Sequence, residues 1–127
     1  MEPERSLTRM QMTNDRFKYR VWDEEDKKYV SEFVFINHHG ELCVIEHGRF
    51  FRHKCTVEQC TGLKDKNGKL IYENDIVQYN DQECGTVIFR EGCWVWDWKV
   101  NDPPLYLLES YYFKIVGNIR EMESENE

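Results

Sequence analysis

No stretch of this chain approaches the roughly 20 consecutive apolar residues that a membrane-spanning helix needs, and no charged, apolar and small-residue leader opens it. A soluble protein that remains in the cytoplasm is therefore expected. Cysteine provides no framework: Cys43, Cys55, Cys60, Cys84 and Cys93 are odd in number and contain no Cys-x-x-Cys pair. Reduced thiols packed as small hydrophobes are expected instead of disulfides. The chain also lacks a Gly-x-Ser-x-Gly elbow, a His-Glu-x-x-His pair and a Gly-x-Gly-x-x-Gly turn, so nothing points to the hydrolase, zinc-peptidase or dinucleotide-binding classes. The segment 64–69 contains one glycine and no strand-to-helix context, unlike a phosphate-binding loop. No catalytic residue, metal or cofactor is expected.

What is present is acidic and aromatic. The 127 residues carry a net charge of −7, and 14% are Phe, Trp or Tyr. Charge is uneven: residues 1–69 hold 13 Lys/Arg against 12 Asp/Glu, residues 70–120 hold four against eight, and residues 121–127 add four glutamates without a base. Such a chain repels phosphate backbones in general, which disfavours nucleic acid as a partner. Arg16, Lys18 and Arg20 alternate along one predicted strand and are the alternative, a polyanion-binding face; a solvated outer face is the simpler reading.

Apolar alternation and turn residues predict a mainly β protein. Strands are predicted from Phe17, over 29–36, over 42–45 and at 49–52, an antiparallel meander with turns every 8–12 residues. Residues 53–61 give a weak signal, a short helical turn capped by Thr56 or an irregular connection. Asn67-Gly68 predicts a type I′ hairpin, and Glu73-Asn74-Asp75 a kink with Asn74 left-handed and Asp75 accepting backbone N–H groups. Strands at 76–79, 85–89, 93–98 and 112–116, with a hairpin at Glu91-Gly92, suggest a small barrel of the Src-homology-3-like type. Pro103-Pro104 interrupts this half, and 105–112 reads as helix or strand. The resulting organisation is a flexible arm over 1–15, a β meander over 16–60 packed on a barrel over 61–120, and an acidic disordered tail over 121–127. Met12 is a possible alternative start.

Trp94, Trp96 and Trp98 share one face of their strand, with Asp97 on the other. They are core, subunit interface or ligand platform. Together with Glu73, Asp75, Asp81, Glu83 and Glu91 they are the candidate binding residues. His47, His53, Cys55 and Cys60 have zinc-ligand chemistry, but their spacing matches no common finger or ribbon. A small enzyme or zinc protein built on them is one alternative function, and a nucleic-acid or nucleotide binder is another.

Four blocks carry a family likeness: Phe-Lys-Tyr-Arg-Val-Trp-Asp (17–23), the segment 59–68, Ile-Tyr-Glu-Asn-Asp-Ile-Val (71–77) and Phe-Lys-Ile-Val-Gly-Asn-Ile (113–119). In this order they resemble the YopX-like proteins of phages and prophages. Cys60 stands where that family usually has an aromatic residue, and Asn74 where it usually has glycine. The resemblance implies a small β-rich fold, homo-oligomeric assembly and no established catalytic residues. It points to a non-enzymatic phage protein that binds a host or phage protein, with counter-defence, such as inhibition of a nucleic-acid-guided nuclease, as its sharpest form.

Overall fold

The computed structural model describes residues 14–30, 34–46, 49–51, 55–80, 83–97 and 112–125. Its elements are β1 (Tyr19–Asp23), β2 (Lys28–Tyr29), β3 (Val34–Ile36), β4 (Leu42–Glu46), β5 (Arg49–Phe51), β6 (Cys55–Lys64), β7 (Leu70–Tyr72), β8 (Asp75–Tyr79), β9 (Glu83–Arg90), β10 (Cys93–Asp97), β11 (Phe113–Asn118) and the helix α1 (Ile119–Glu125). The mainly β expectation holds. The strands form three antiparallel sheets, ordered β2-β1-β6-β7, β10-β9-β8-β11 and β3-β4-β5. Among the described residues no ladder joins β10 to β11. None of the described helices is long and apolar enough to cross a membrane.

Two sequence expectations change here. The weak segment after His53 is the ten-residue strand β6 rather than a helical turn. Its Thr56, Val57 and Thr61 are β-branched, and β1 and β7 pair along its length, so tertiary pairing completes what local propensity begins. It also runs through position 60/61 without a break. Residues 121–125, read as part of a disordered tail, are helical. Asn118 caps that helix: its Oδ1 accepts Glu121 N–H at 2.9 Å while its Nδ2 donates to Glu121 Oε1 at 2.7 Å. Of the arm expected over 1–15, residues 1–13 lie outside the described residues, as do Pro103-Pro104 and the ambiguous segment before Tyr112, while Asn14 and Asp15 are helical.

Turn chemistry follows side chains more than dipeptides. Gly68 is left-handed but Asn67 is not, because Asp65 takes over the hairpin. Asp65 C=O accepts Gly68 N–H at 3.0 Å, Asp65 N–H donates to Lys69 C=O at 2.9 Å, and Oδ1 accepts the N–H groups of Asn67 and Lys69. This is the three-residue loop with a glycine bulge, not type I′. The type I′ turn sits at Glu91-Gly92, with φ of 52° and 78° between the paired Arg90 and Cys93. Asn74 is left-handed as read from sequence, with φ of 70°.

The core lies between the second sheet and the β6–β7 end of the first. Ile71, Val77, Val87, Trp96 and Phe113 form it, with Leu63, Tyr79, Trp94 and Ile115 packed against it. Burying each such side chain contributes about 1.5–3 kcal/mol. Trp96 Nε1 donates to Val77 C=O at 3.1 Å, which satisfies its polar edge inside the core. Gly85 makes room for that indole: a Cβ there would lie 2.7 Å from Trp96 Nε1 and 2.8 Å from Asp97 O.

Candidate functional site

Where the first sheet, the β7–β8 turn and α1 meet, the fold buries an ionic cluster. Its centre is Glu58 on β6, whose carboxylate is fully buried. Four side chains donate to it: Arg20 Nε and Tyr29 Oη to Oε1, both at 2.8 Å, and Asn74 Nδ2 at 2.6 Å and Arg120 Nε at 3.3 Å to Oε2. Arg20 also reaches Asp75 Oδ1 at 2.8 Å and Glu73 C=O at 3.0 Å through Nη2. Its guanidinium lies between two rings, 4.7 Å from the Tyr29 centroid and 5.0 Å from that of Tyr72. Asp75 Oδ2 accepts Tyr72 N–H at 2.8 Å, the turn-stabilising role read from sequence. Glu24 joins through Arg120 Nη1 at 3.9 Å and by accepting the Thr56 hydroxyl.

Burial shapes the acidities of this cluster. It pushes the Asp75 carboxyl up, against the opposing pull of the Arg20 charge. It works against the Arg20 charge too, but Asp75 and Glu58 outweigh it and hold the guanidinium above its ordinary value. Burial and the hydrogen bond to Glu58 raise the Tyr29 phenol, and burial raises that of Tyr72. Among the described residues no buried side-chain nitrogen or oxygen lacks a partner. The cluster therefore holds β1, β6, the β7–β8 turn and α1 together.

Above it opens a cleft of about 610 Å³ lined by Arg20, Tyr72, Asp75, Lys69 and Leu70 on one side, and by the end of β11 and Glu121 on the other. A register shift between Ile115 and Gly117 leaves Val116 48% exposed at its edge.

The residues singled out from sequence do not converge on one place. Trp96 is core, whereas Trp94 is half-buried and packs edge-on against Phe89 at 4.9 Å. Trp98 and Asp81 lie outside the described residues. Asp75 is only 2% exposed and committed to Arg20. Glu73 is half-buried and accepts Gln59 N–H at 3.3 Å. Glu83 and Glu91 are exposed near opposite ends of the β9 hairpin, about 26 Å apart at 3.3 Å per residue.

Arg16, Lys18 and Arg20 do not form one cationic face. Asn14 and Asp15 are helical and the chain turns at Arg16 and Phe17 before β1, with Phe17 N–H donating to Asn14 C=O and Lys18 N–H to Asp15 C=O. Arg16 stacks on Phe17 and Lys18 pairs with Asp15 at 3.0 Å, while the buried carboxylates claim Arg20.

Of the histidine and cysteine candidates, His47 and His53 lie outside the described residues. Burial raises the thiols of Cys55 and Cys60, which disfavours the thiolate that metal binding or nucleophilic attack requires. No group of three or more His, Cys, Asp or Glu among the described residues is arranged to hold a metal ion.

Sequence reasoning missed Glu58, Tyr29 and Arg120 as cluster members and Phe89 as the partner of Trp94. Only the pairing register reveals the last, since Trp94 lies opposite Phe89 on adjacent strands.

The family model described as YopX protein matches residues 18–123. Among solved structures, the fold is similar to the crystal structure of protein EF1440 from Enterococcus faecalis, with a TM-score of 0.62 and 21% identity over 87% of this chain and 97% of that one. It is also similar to the X-ray structure of protein yopX from Bacillus subtilis, with a TM-score of 0.56 and 20% identity over 81% of this chain and 92% of that one. Comparison with curated proteins gives no match. The two structural likenesses speak for the fold, and the family match spans all four blocks that carried the sequence resemblance except the first residue of the first. The chain belongs to the YopX protein family.

Proposed function

We propose that this protein is a non-enzymatic binding protein of phage or prophage origin that inhibits or modulates a host macromolecule in the host-cell cytoplasm by occluding it. The observation that carries this reading is the tip of the β9–β10 hairpin. There Phe89 is 53% exposed and packs against Trp94, with Glu91 exposed in the adjoining turn. Covering an exposed aromatic ring backed by a half-buried one is a recurrent source of docking energy. The acidic charge of the chain favours a basic partner surface, such as the nucleic-acid path of a guided nuclease, and this is the counter-defence form of the proposal. The self-satisfied ionic cluster and the raised thiols support the non-enzymatic half. Homo-oligomeric assembly is part of the reading, since exposed Phe89, Val116 and Met122 offer apolar contact area.

The test is retention of a host protein from phage-infected cells by the immobilised wild type, by Phe89→Asp and by Glu91→Lys. One partner held by the wild type and lost by both variants, with unchanged circular dichroism, supports the proposal. Equal retention by all three removes the hairpin tip as the binding surface.

A further inference from the structure

We propose that α1 is a detachable strap, which leaves the body as a unit after Asn118 while the Glu58 cluster stays closed beneath it, and whose departure widens the cleft beside it. Its own sequence gives it little reason to stay helical. Seven residues fall below the roughly 12–15 that an isolated helix needs in water. Glu123 and Glu125 put negative charge at the end where the helix dipole is already negative, and no base offsets them there. The Asn118 cap orders the first turn but binds Glu121, a residue of the helix itself. Packing adds little, since no residue of α1 is buried and Met122 is 48% exposed.

Among the described residues, three polar contacts tie α1 to the body. Ile119 N–H donates to Asn74 C=O at 2.9 Å, Arg120 Nε donates to Glu58 Oε2 at 3.3 Å, and Arg120 Nη1 lies 3.9 Å from Glu24 Oε1. Both arginine contacts are long for charge-assisted bonds, which run about 2.7–2.9 Å. Arg20 meets the same Glu58 carboxylate at 2.8 Å. The β8–β11 ladder ends at Asn118 opposite Asp75, so no sheet pairing continues into the helix.

Releasing these contacts orphans no buried group. Glu58 keeps Arg20 and Tyr29 on Oε1 and Asn74 on Oε2. Asn74 is half-buried, so its C=O can turn to water, and Arg120 carries its charge into solvent. What opposes release is charge. The buried Glu58 and Asp75 carboxylates face Arg20 and Arg120 in the closed form and Arg20 alone in the open one, an attraction that salt weakens. Asn118 and Glu121 line one side of the cleft, so departure of Glu121 removes part of that wall. The strap shares no residue with the Phe89–Trp94 tip, so this inference and the proposed function fail separately.

The test is native-state amide exchange on the uniformly ¹⁵N-labelled full chain, with Arg120→Gln and Ile119→Pro beside the wild type. In the wild type the amides of Glu123, Ser124 and Glu125 should exchange about a hundredfold or more faster than those of Glu58 and Cys60, after correction for sequence. Raising sodium chloride from about 20 to about 300 mM should speed exchange in α1 about two- to fivefold and leave β6 unchanged. Arg120→Gln removes the ionic tie, and Ile119→Pro the main-chain tie at a position where a helix accepts proline. Both variants should lose protection in α1, keep the strand amide pattern and shift the urea midpoint far less than Arg20→Ala does. Exchange of α1 in step with β6, or exchange of α1 that salt leaves unchanged, overturns the proposal. So does loss of the strand pattern in either variant, because α1 is then part of the cooperative fold.

Discussion

Arg20 Nε donates to Glu58 Oε1 across 2.8 Å, and the accepting side chain is closed to solvent while the donor is 22% exposed. The pair joins β1 to β6, and through Asp75 and Glu73 the same guanidinium reaches the β7–β8 turn. Removing the cation leaves Glu58 with Tyr29, Asn74 and Arg120 at 3.3 Å, and leaves Asp75 with the Tyr72 N–H and without its ion-pair partner. Arg20→Ala is expected to cost about 3–5 kcal/mol, read as a shift in the urea unfolding midpoint. Arg20→Lys should recover only part of this, because one ammonium cannot reach Glu58, Asp75 and Glu73 C=O from a single planar fork while lying between two rings.

Asp75 carries a pH signature of its own. Its folded-state pKa lies above the ordinary 3.8, because burial outweighs the attraction of Arg20. The folded protein therefore binds this proton more readily than the unfolded chain, and Asp75's contribution is largest below that ordinary value and is lost as pH rises through the folded pKa. Unfolding free energies of the wild type minus those of Asp75→Asn should climb as pH falls through the folded-state pKa toward 3.8. A difference curve that falls on acidification contradicts this sign. Using the difference removes the other carboxylates, which titrate in both proteins.

Gly85 sits against Trp96 with no room for a methyl group. Gly85→Ala must displace either the indole or the β10 backbone at Asp97, and overpacking of this kind costs about 1–3 kcal/mol. The expected readouts are a lower thermal midpoint and a red-shifted tryptophan emission. Gly117→Ala is the control, since a Cβ there meets nothing within 4 Å.

Glu91 holds a left-handed conformation, with φ of 52°, in a turn that favours asparagine or glycine. Glu91→Asn should stabilise the protein by about 0.5–1 kcal/mol in urea unfolding. If the hairpin tip is the binding surface, the same substitution lowers partner retention, so stability and binding move in opposite directions.

Much of the backbone is legible from residue type alone. Asn74 tolerates the left-handed region, Asp75 reads as a turn acceptor, and Glu91-Gly92 lies between two aromatic strands; all three take the conformations read from sequence. The cluster is not legible in this way. Glu58 lies in a segment of weak signal, and its donors Arg20, Tyr29, Asn74 and Arg120 are 38, 29, 16 and 62 residues away. No local pattern separates such a glutamate from one on a solvated face, because its burial is created by strands from distant parts of the chain. Asn67-Gly68 misleads for the opposite reason: a neighbouring side chain, Asp65, outcompetes the dipeptide for control of the turn. The Trp94 and Trp96 alternation does locate a core face, but its exposed end is set by Phe89, whose position opposite Trp94 depends on the β9–β10 register.

Asp65 uses its two oxygens at different ranges. Oδ1 holds N–H groups two and four residues ahead, while Oδ2 holds Ile115, 50 residues away. Hairpins close in microseconds, and a long loop costs entropy before its contacts return any. The local half of this carboxylate's bonding can therefore form first and present an already oriented acceptor to β11. One side chain thus ties a nearby turn to a remote strand, so that the closed turn offers a template on which that strand can dock.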